Sequence, residues 1–308
     1  MINKAVVTGP TGVIGTALIK ELAEQNIDVY AVCRPDSQRM DNIIKHERVH
    51  IVPCSLDNLG TLSTQIGETC DAFFHLAWTG TLDPRNRFDM YLQNRNVRYA
   101  LDAVEAAHAL KCEVFVGAGS QAEYGTKSGI MRPDTYPEPI SGYGMAKLCA
   151  GQMTRSMCEG YGIRHVWPRI LSVYGVNDGE QTLISSAILK MLDGQRFSMT
   201  AGEQVWDYLY AGDAAEALLA MAERGKDGAV YVLGSGKTMK LKRYIEIIRD
   251  KINPDLEIGF GEIPYNKDQV MHMEADNRSL MEDTGWIPKV GFADGVQYLI
   301  DAMQWRIV

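Results

Sequence analysis

The sequence predicts an α/β fold, a doubly wound parallel sheet with a smaller C-terminal lobe. The first observation is an alternation, within residues 1–170, of short apolar runs with longer segments whose apolar residues recur every three or four positions. The second is the loss of this rhythm after about residue 170, where short elements mix with Pro and Gly. Strands and helices that alternate in this way form right-handed crossovers, so the strands lie parallel.

The predicted strands of this region are apolar runs bounded by polar or glycine residues. In chain order they are AVVTG, DVYAVC, VHIVP, DAFFHLA, EVFVGAG and RHVWPRI. The predicted helices between them are VIGTALIKELAEQ, NRNVRYALDAVEAAHAL and SGYGMAKLCAGQMTRSMC. Each helix carries an apolar stripe, as helices that cover the face of a sheet do.

The rest of the chain predicts two interleaved domains. After the loop GVNDGEQT and a helix, the segment WDYLYAGDAAEALLAMAER predicts a strand and a helix that return to the large sheet, followed by the strand YVLG. The larger domain is therefore expected at 1–170 plus about 206–233, and the smaller lobe at about 171–205 plus 234–308. Ligands of open α/β sheets bind beyond the carboxyl ends of the strands, where a second lobe closes a cleft.

Composition excludes several classes of function. The 308-residue chain is 46% hydrophobic and has a formal net charge of -8 without a Lys- or Arg-rich block, so no nucleic-acid partner is expected. The start MINKAVVTGP resembles neither a signal peptide nor a membrane span, and no membrane partner is expected. Scattered cysteines without a C-x-x-C pair predict free thiols in a reducing cytoplasm and no metal site. They are Cys33, Cys54, Cys70, Cys112, Cys149 and Cys158.

A glycine-rich loop follows the first predicted strand. Gly9, Gly12 and Gly15 stand in TGPTGVIG, between strand and helix. A backbone without Cβ atoms lets a pyrophosphate approach the N-terminus of a helix. The G-x-x-G-x-x-G spacing at this place predicts a dinucleotide site on a Rossmann fold, although it differs from the commoner G-x-G-x-x-G.

The end of the second strand bears on the choice of dinucleotide. A free ribose 2′-hydroxyl is usually held by an acidic residue there, but this chain has Cys33 and Arg34, followed by Ser37 and Arg39. A guanidinium pairs with a 2′-phosphate. NADP(H) is therefore favoured, and Asp36 keeps NAD(H) as the alternative.

Ser120, Tyr143 and Lys147 are the predicted catalytic residues. Tyr143 and Lys147 are four positions apart on a predicted helix and so share a face, where the lysine charge favours the phenolate. Ser120 ends the strand EVFVGAGS, and its hydroxyl is expected to bind the reacting oxygen. Tyr143 is expected to move the proton while the nicotinamide moves the hydride.

With these motifs the chain resembles the extended short-chain dehydrogenase/reductase family, also called the NAD-dependent epimerase/dehydratase family, over nearly its whole length. The similar segments are TGPTGVIG, FHLAW, Asn96-Val97, GSQAEYG, SGYGMAK, PRILSVYG, WDYLYAGDAAEAL and ADNRSLMEDTGWIP. The resemblance implies a substrate that is a nucleotide-activated sugar, and a homodimer formed through two helices, one of them bearing Tyr143.

The resemblance also implies the remaining cofactor contacts. They are expected at Thr11, Val13, Ile14, Leu56, Leu76, Ala77, Asn96, Ala118 and Ile170, beside the glycines and the catalytic pair. His75, a lone histidine on an apolar strand, is expected to be structural.

Substrate contacts are expected at Trp78, Glu123, Ser172, Trp206 and Lys267. Ser172 stands where the family commonly has an asparagine, and Trp206 where many members have an arginine on the diphosphate. Trp206 is equally well interpreted as a core residue beside two tyrosines. Lys267 is the candidate to supply the positive charge on the diphosphate that this arginine provides in other members.

These departures from the family pattern leave three functions: a 4-ketoreductase, a 4-epimerase and a non-catalytic dinucleotide-binding protein. Gln121 and Ala122 replace residues that a 4,6-dehydratase needs, so that reaction is disfavoured. The leading hypothesis is an NAD(P)(H)-dependent oxidoreductase acting on a nucleotide sugar, as a 4-ketoreductase or a 4-epimerase. The alternative from another class is a non-catalytic dinucleotide-binding regulatory protein.

Overall fold

The structure is a computed structural model that describes residues 1–81 and 83–307, with side chains through residue 304. Its strands are β1 (Lys4–Thr8), β2 (Asp28–Cys33), β3 (Val49–Pro53), β4 (Ala72–His75), β5 (Val114–Gly117), β6 (Gly119–Ser120), β7 (Gly129–Met131), β8 (Arg164–Ile170), β9 (Ser172–Tyr174), β10 (Phe197–Met199), β11 (Val205–Tyr210), β12 (Ala229–Leu233), β13 (Thr238–Lys240), β14 (Ile258–Phe260) and β15 (His272–Ala275). Its helices are α1 (Val13–Glu24), α2 (Leu62–Ile66), α3 (Met90–Ala109), α4 (Gly142–Tyr161), α5 (Leu183–Leu192), α6 (Ala211–Arg224), α7 (Leu241–Ile252), α8 (Arg278–Thr284) and α9 (Phe292–Ile307).

The main sheet confirms the predicted fold class. Its order is β12-β8-β5-β4-β1-β2-β3, with β6 beside β8, and every pairing in it is parallel. All the strands predicted before residue 171 belong to it. The strand order reverses between β1 and β4, and ligands of doubly wound sheets bind at such a switch point.

Apolar side chains cover both faces of this sheet. On one face, buried residues of α1 and α6 pack on the sheet in a single cluster with the inward side chains of β1, β2 and β5. On the other face, α3 supplies a run of buried alanines, and α4 packs beside α3. Helices on both faces place the strand ends, rather than a sheet face, at the open edge of the domain.

Local signals set the helix that carries the predicted catalytic pair. The Ser141 hydroxyl caps the start of α4 by accepting a hydrogen bond from the Gly144 N–H at 3.2 Å. Gly162 ends the helix in the left-handed region, with a φ of 69° that favours glycine. Tyr143 and Lys147 therefore lie in the first two turns of α4, next to the ends of β5 and β6.

A second sheet gathers short strands from distant parts of the chain. Its order is β13-β11-β15-β7, with β9 on β11, and β10 pairs separately with β14. The predicted boundary at residue 206 differs from this arrangement, because β11 lies in the second sheet while α6 and β12 lie in the main domain. Helix α8 also packs on the main domain, against α6 and β12. The division into a cofactor domain and a substrate lobe remains our proposal, with these elements reassigned.

Residues 1–81 and 83–307 contain neither a membrane-spanning helix nor a cluster of metal-ligating side chains. No helix there is long and apolar enough to cross a membrane. No group of three or more His, Cys, Asp or Glu side chains there is arranged to hold a metal ion.

Candidate active site

At two of its glycines, Gly9 and Gly15, the glycine-rich loop is packed so closely that a side chain would not fit. Gly9 has a φ of 72°, and a Cβ there would lie 2.8 Å from the Ala77 backbone nitrogen. A Cβ on Gly15 would lie 2.1 Å from the Gly9 carbonyl oxygen. Gly12 is the N-cap of α1, and no side chain caps this end of the helix. The positive end of the helix dipole is therefore open to an anion. The loop with Thr11, Val13 and Ile14 thus fits the pyrophosphate of a dinucleotide.

Other residues predicted to contact the cofactor lie at the carboxyl edge of the main sheet. Leu56 follows β3, Leu76 and Ala77 follow β4, Ala118 stands between β5 and β6, and Ile170 ends β8. Asn96 differs, because both groups of its amide bind the loop after β4. Its oxygen accepts from the Thr79 N–H at 2.8 Å, and its nitrogen donates to the Thr79 carbonyl at 2.9 Å. Asn96 therefore positions that loop.

Ser120, Tyr143 and Lys147 meet at the same edge. The Ser120 Oγ accepts a hydrogen bond from the Ala122 N–H at 3.1 Å, which leaves the hydroxyl proton of Ser120 to be donated elsewhere. Burial raises the pKa of Tyr143, while the Ser120 hydroxyl and the Arg87 guanidinium act against that shift. A serine and a partly enclosed tyrosine are thereby set up to hold one oxygen and exchange its proton.

Lys147 is buried with its ammonium group inside the site. Its Nζ donates to the Ala118 carbonyl at 2.6 Å and lies 3.8 Å from the centroid of the Trp78 ring. Burial lowers the pKa of Lys147 to about 7. The carbonyl and the ring face therefore hold a charge that is readily lost near neutral pH.

Trp78 and two residues that the sequence did not single out complete this wall. The Trp78 indole N–H donates to Gln93 Oε1 at 2.8 Å, and its ring packs edge-on against Tyr143 with centroids 6.0 Å apart. The Arg87 guanidinium carbon lies 4.9 Å from the centroid of the same tyrosine ring. Neither Gln93 nor Arg87 belongs to a motif, so no pattern in the sequence marks them.

Glu123 does not lie where substrate contact was expected. It is fully buried, with Oε2 2.7 Å from the Arg169 Nε. Its Oε1 accepts from the Ser120 N–H at 2.9 Å and from the Trp167 indole N–H at 3.1 Å. A buried carboxylate with so many donors is structural, because removing any of them would leave charge unpaired. Glu123 therefore holds the Ser120 backbone in place, and its assignment to the substrate was wrong.

Beneath this network, one indole fills the space left by three glycines. A Cβ on Gly117, Gly119 or Gly151 would lie 2.3, 2.5 or 2.7 Å from atoms of the Trp167 ring. These glycines belong to β5, β6 and α4. Trp167 therefore joins the strand that carries Ser120 to the helix that carries Tyr143.

The basic residues after β2 differ in their surroundings. The Arg34 side chain is 65% exposed, and its Nε lies 4.0 Å from Asp36. Ser37, between them, accepts from the Arg39 N–H. The Arg39 guanidinium donates to the Asn177 carbonyl in the segment after β9. Arg34 is thus the freer of the two cations.

In the second sheet, Ser172 and Trp206 are bonded to each other. The Trp206 indole N–H donates to the Ser172 Oγ at 2.8 Å across β9 and β11. A cavity of about 230 Å³ adjoins Ser172, and its lining also includes Asp178 and Tyr208. Lys267 lies exposed in the segment between β14 and β15. The two departures from the family pattern are therefore partners in one hydrogen bond.

His75 lies inside the main sheet. Its Nδ1 is 3.0 Å from the Thr8 hydroxyl, and burial lowers its pKa to about 3. A neutral histidine that bonds the strand before the glycine loop is structural, as expected. The cysteines of the sequence are free thiols, and all but Cys149 are buried.

Comparison with known proteins places this geometry among related chains. The family model described as the NAD dependent epimerase/dehydratase family matches residues 5–234. A Methanocaldococcus jannaschii protein provisionally named as a UDP-glucose 4-epimerase is 27% identical over 311 residues, covering 97% of this chain and 98% of the relative. A CDP-abequose synthase of Salmonella muenchen is 24% identical and covers 97% of each chain.

Solved structures show the same fold. A UDP-N-acetylglucosamine 4-epimerase from Methanobrevibacter ruminantium, solved with UDP-N-acetylmuramic acid, superposes with a TM-score of 0.89 at 23% identity, covering 99% of both chains. At this identity the likeness shows the fold alone.

Proposed function

Because this chain belongs to the NAD dependent epimerase/dehydratase family, we propose that it is an NAD(P)(H)-dependent oxidoreductase acting at C4 of a nucleotide-activated sugar. One observation carries the proposal. Ser120, Tyr143 and Lys147 converge at the sheet edge that also bears the glycine loop. The curated relatives include a nucleotide-sugar epimerase and a nucleotide-sugar synthase, which supports a substrate of this class.

The proposed chemistry is proton transfer by this chain's own side chains. The bound nicotinamide supplies or accepts the hydride. The Ser120 hydroxyl binds the sugar oxygen, and the Tyr143 hydroxyl gives it a proton in reduction or takes one in oxidation. Lys147 donates to the Ala118 carbonyl, and its Nζ lies 5.9 Å from the centroid of the Tyr143 ring. When Lys147 is protonated, its charge therefore stabilises the phenolate of Tyr143.

Between the two reactions, we favour a 4-ketoreductase that uses NADPH. The side chain that could pair with a 2′-phosphate is Arg34, which is largely exposed and only loosely paired with Asp36. The second candidate is a 4-epimerase with retained NAD(H), and the M. jannaschii relative supports it. In that reaction the hydride leaves one face of C4 and returns to the other, with no net redox change.

The nucleotide bound to the purified protein separates these reactions. We would denature the protein and identify by mass spectrometry what is released. An empty protein that turns over a 4-keto sugar with NADPH supports the reductase. Retained NAD(H), with interconversion of C4 hydroxyl epimers, supports the epimerase.

The preference for NADPH tests the role of Arg34. We expect Arg34→Ala to raise the KM for NADPH about tenfold, the loss of a charged hydrogen bond of about 1.5 kcal/mol. The KM for NADH serves as the internal control and should stay unchanged. Equal changes for both cofactors, or none, would show that Arg34 does not bind the 2′-phosphate.

Tyr143→Phe separates an enzyme from a non-catalytic dinucleotide-binding protein. We expect turnover to fall on the order of 10³-fold, because the proton donor is lost. Dinucleotide affinity should be nearly unchanged. Tyr161→Phe is the matched control on the same helix, since the hydroxyl of that exposed tyrosine donates to Glu105 at 2.7 Å, away from the site. Full activity of Tyr143→Phe would refute the proposed site.

We propose that the protein is a cytoplasmic homodimer. Exposed apolar side chains line the outer sides of α3 and α4, including Tyr91, Met145 and Met153. A stripe of this kind is suited to a second copy of the chain. Free thiols, among them the exposed Cys149, suit a reducing compartment. Sedimentation equilibrium with Met145→Lys would test the dimer, and cell fractionation would test the location.

A further inference from the structure

Arg87 occupies a fixed place against the proposed catalytic tyrosine. It lies in the 3₁₀ turn Pro84–Phe88, with its guanidinium carbon 4.9 Å from the centroid of the Tyr143 ring. The turn packs tightly on the start of α4. A Cβ on Gly142 would lie 3.2 Å from the Arg87 carbonyl oxygen and 2.7 Å from the Met90 sulfur. Packing of the backbone, rather than the side chain alone, therefore sets where this cation sits.

Two arginines in the same turn differ in their partners. The Arg85 guanidinium forms a bidentate pair with the Asp83 carboxylate, with its closest contact at 2.7 Å. Within residues 1–81 and 83–307, Arg87 forms no ion pair with a carboxylate and faces an aromatic ring instead. Its positive charge is therefore directed at Tyr143 rather than neutralised.

The other charged groups around Tyr143 stabilise its phenolate less reliably than the Arg87 guanidinium does. Lys147, on the same helix, places its Nζ 5.9 Å from the ring centroid, and burial lowers its pKa to about 7. Burial therefore makes the positive charge of Lys147 easier to lose than that of an exposed lysine. Glu123, from the turn after β6, opposes the phenolate but is paired with Arg169, while Ser120 is neutral. A guanidinium stays charged throughout the working pH range.

We propose that Arg87 is a positioning residue for the reaction, whose guanidinium stabilises the phenolate of Tyr143 from the open side of the site. The proposal rests on the proposed function only for its effect on turnover. Lys147 then supplies charge from the buried side and Arg87 from the exposed side. Because Arg87 is exposed, salt weakens its contribution, whereas the enclosed lysine is screened much less.

Titration of Tyr143 itself tests the proposal without any substrate. The tyrosine Cζ resonance, observed with ¹³C-labelled tyrosine and assigned with Tyr143→Phe, reports ionisation at this one residue. In Arg87→Gln we expect the pKa of Tyr143 to rise by about one unit at low salt. Arg87→Lys should restore most of the shift. A salt concentration of 0.5 M (about threefold above a physiological ionic strength) should raise the pKa of Tyr143 in the unmodified protein but hardly in Arg87→Gln.

Arg85→Gln is the matched control, since it removes a neighbouring arginine that Asp83 already neutralises. An unchanged Tyr143 titration in Arg87→Gln, or an equal shift in Arg85→Gln, would overturn the proposal. This measurement stands even if the protein turns over no nucleotide sugar, so failure of the proposed function would be seen separately.

Kinetics provide the second measurement. In the oxidising direction the phenolate is the base, so the acidic limb of kcat/KM should move to higher pH by the same amount in Arg87→Gln. The KM should change much less. A raised KM with an unmoved pH limb would instead identify Arg87 as a binding group for an anionic part of the substrate, and would refute the positioning role.

Discussion

The two larger sheets of the molecule are held by different interactions. The main sheet is enclosed on both faces by continuous apolar clusters, in which Val6, Val7, Phe73 and Phe74 are completely buried. The second sheet also packs against two smaller apolar clusters, one around Tyr174 and one around Met273, and in addition it holds the buried carboxylate of Asp207. The difference teaches that apolar packing dominates in the half carrying the glycine loop, whereas the half carrying Ser172 and Trp206 combines apolar packing with a buried polar cluster.

The largest expected effect comes from replacing Asp207, whose carboxylate joins β11 of the second sheet to two other segments of the chain. Asp207 accepts from the Ser235 N–H and hydroxyl at 2.8 and 2.6 Å, the Gly236 N–H at 2.9 Å and the Ala275 N–H at 3.1 Å. Asp207→Asn turns one acceptor into a donor that faces N–H groups. We expect a loss of about 3 kcal/mol in the free energy of unfolding, measured in urea.

Hydrogen exchange would show where that loss falls. In Asp207→Asn, amides of β11, β13 and β15 should lose protection before those of β1 and β4. The control is Glu203→Gln, which removes ion pairs with Lys240 and Lys242 that contribute little because they are exposed to solvent. A uniform loss of protection in both sheets would contradict the comparison.

A smaller effect is expected from acid on the main sheet. Burial, with a smaller contribution from Arg155, lowers the pKa of His165 to about 4. In the unfolded chain the His165 ring binds a proton below about pH 6.5, whereas in the folded protein it stays neutral down to about pH 4. Its contribution to the free energy of unfolding is therefore complete above about pH 6.5 and is lost as the pH falls towards 4. At pH 5 the loss amounts to about 2 kcal/mol.

His165→Phe would isolate this term. The ring stacks between Phe115 and Trp167, with centroids 6.0 and 5.9 Å away, so phenylalanine keeps the stack and cannot titrate. The variant should therefore lose about 2 kcal/mol less than the unmodified protein between pH 7 and 5, as measured by urea midpoints. His108→Phe, an exposed ring stacked on Tyr161, is the control. Identical pH dependence of the two variants would refute the prediction.

The smallest effect concerns the bond between the second sheet's two unusual residues. Trp206→Phe and Ser172→Ala each remove the 2.8 Å hydrogen bond from one side. Each should cost about 1 kcal/mol in unfolding free energy, and the double variant should cost little more than either alone. A few-fold change in the KM for the nucleotide sugar would accompany them. Fully additive losses would show that the residues do not act as a pair.

The predictability of the fold followed the length of the elements. Strands of the main sheet are apolar runs next to their own crossover helices, so periodicity identified them. Strand β7 has three residues and pairs with β15, whose start is 143 positions beyond Gly129 (272 - 129), and no local pattern can specify such a partner. The same limit explains why β11 was assigned to the wrong sheet.

The candidate site was predictable where chemistry imposes spacing. The glycine loop and the Tyr143–Lys147 pair are fixed by helix geometry and by contact with a phosphate, so they leave a pattern. Arg87 and Gln93 act only through a fold that brings separate segments together. Glu123 was misassigned because a carboxylate beside Ser120 has the same letters whether it faces a substrate or, as here, Arg169.

The indole of Trp167 restricts which sequences the protein can reach by single substitutions. Enlarging Gly117, Gly119 or Gly151 while the indole remains would force atoms into overlap, and shrinking the indole first would leave a hole under the reaction centre. A variant with a different residue at position 167 must therefore change several positions at once. Directed evolution of this scaffold should hold these four residues constant and diversify the second sheet instead.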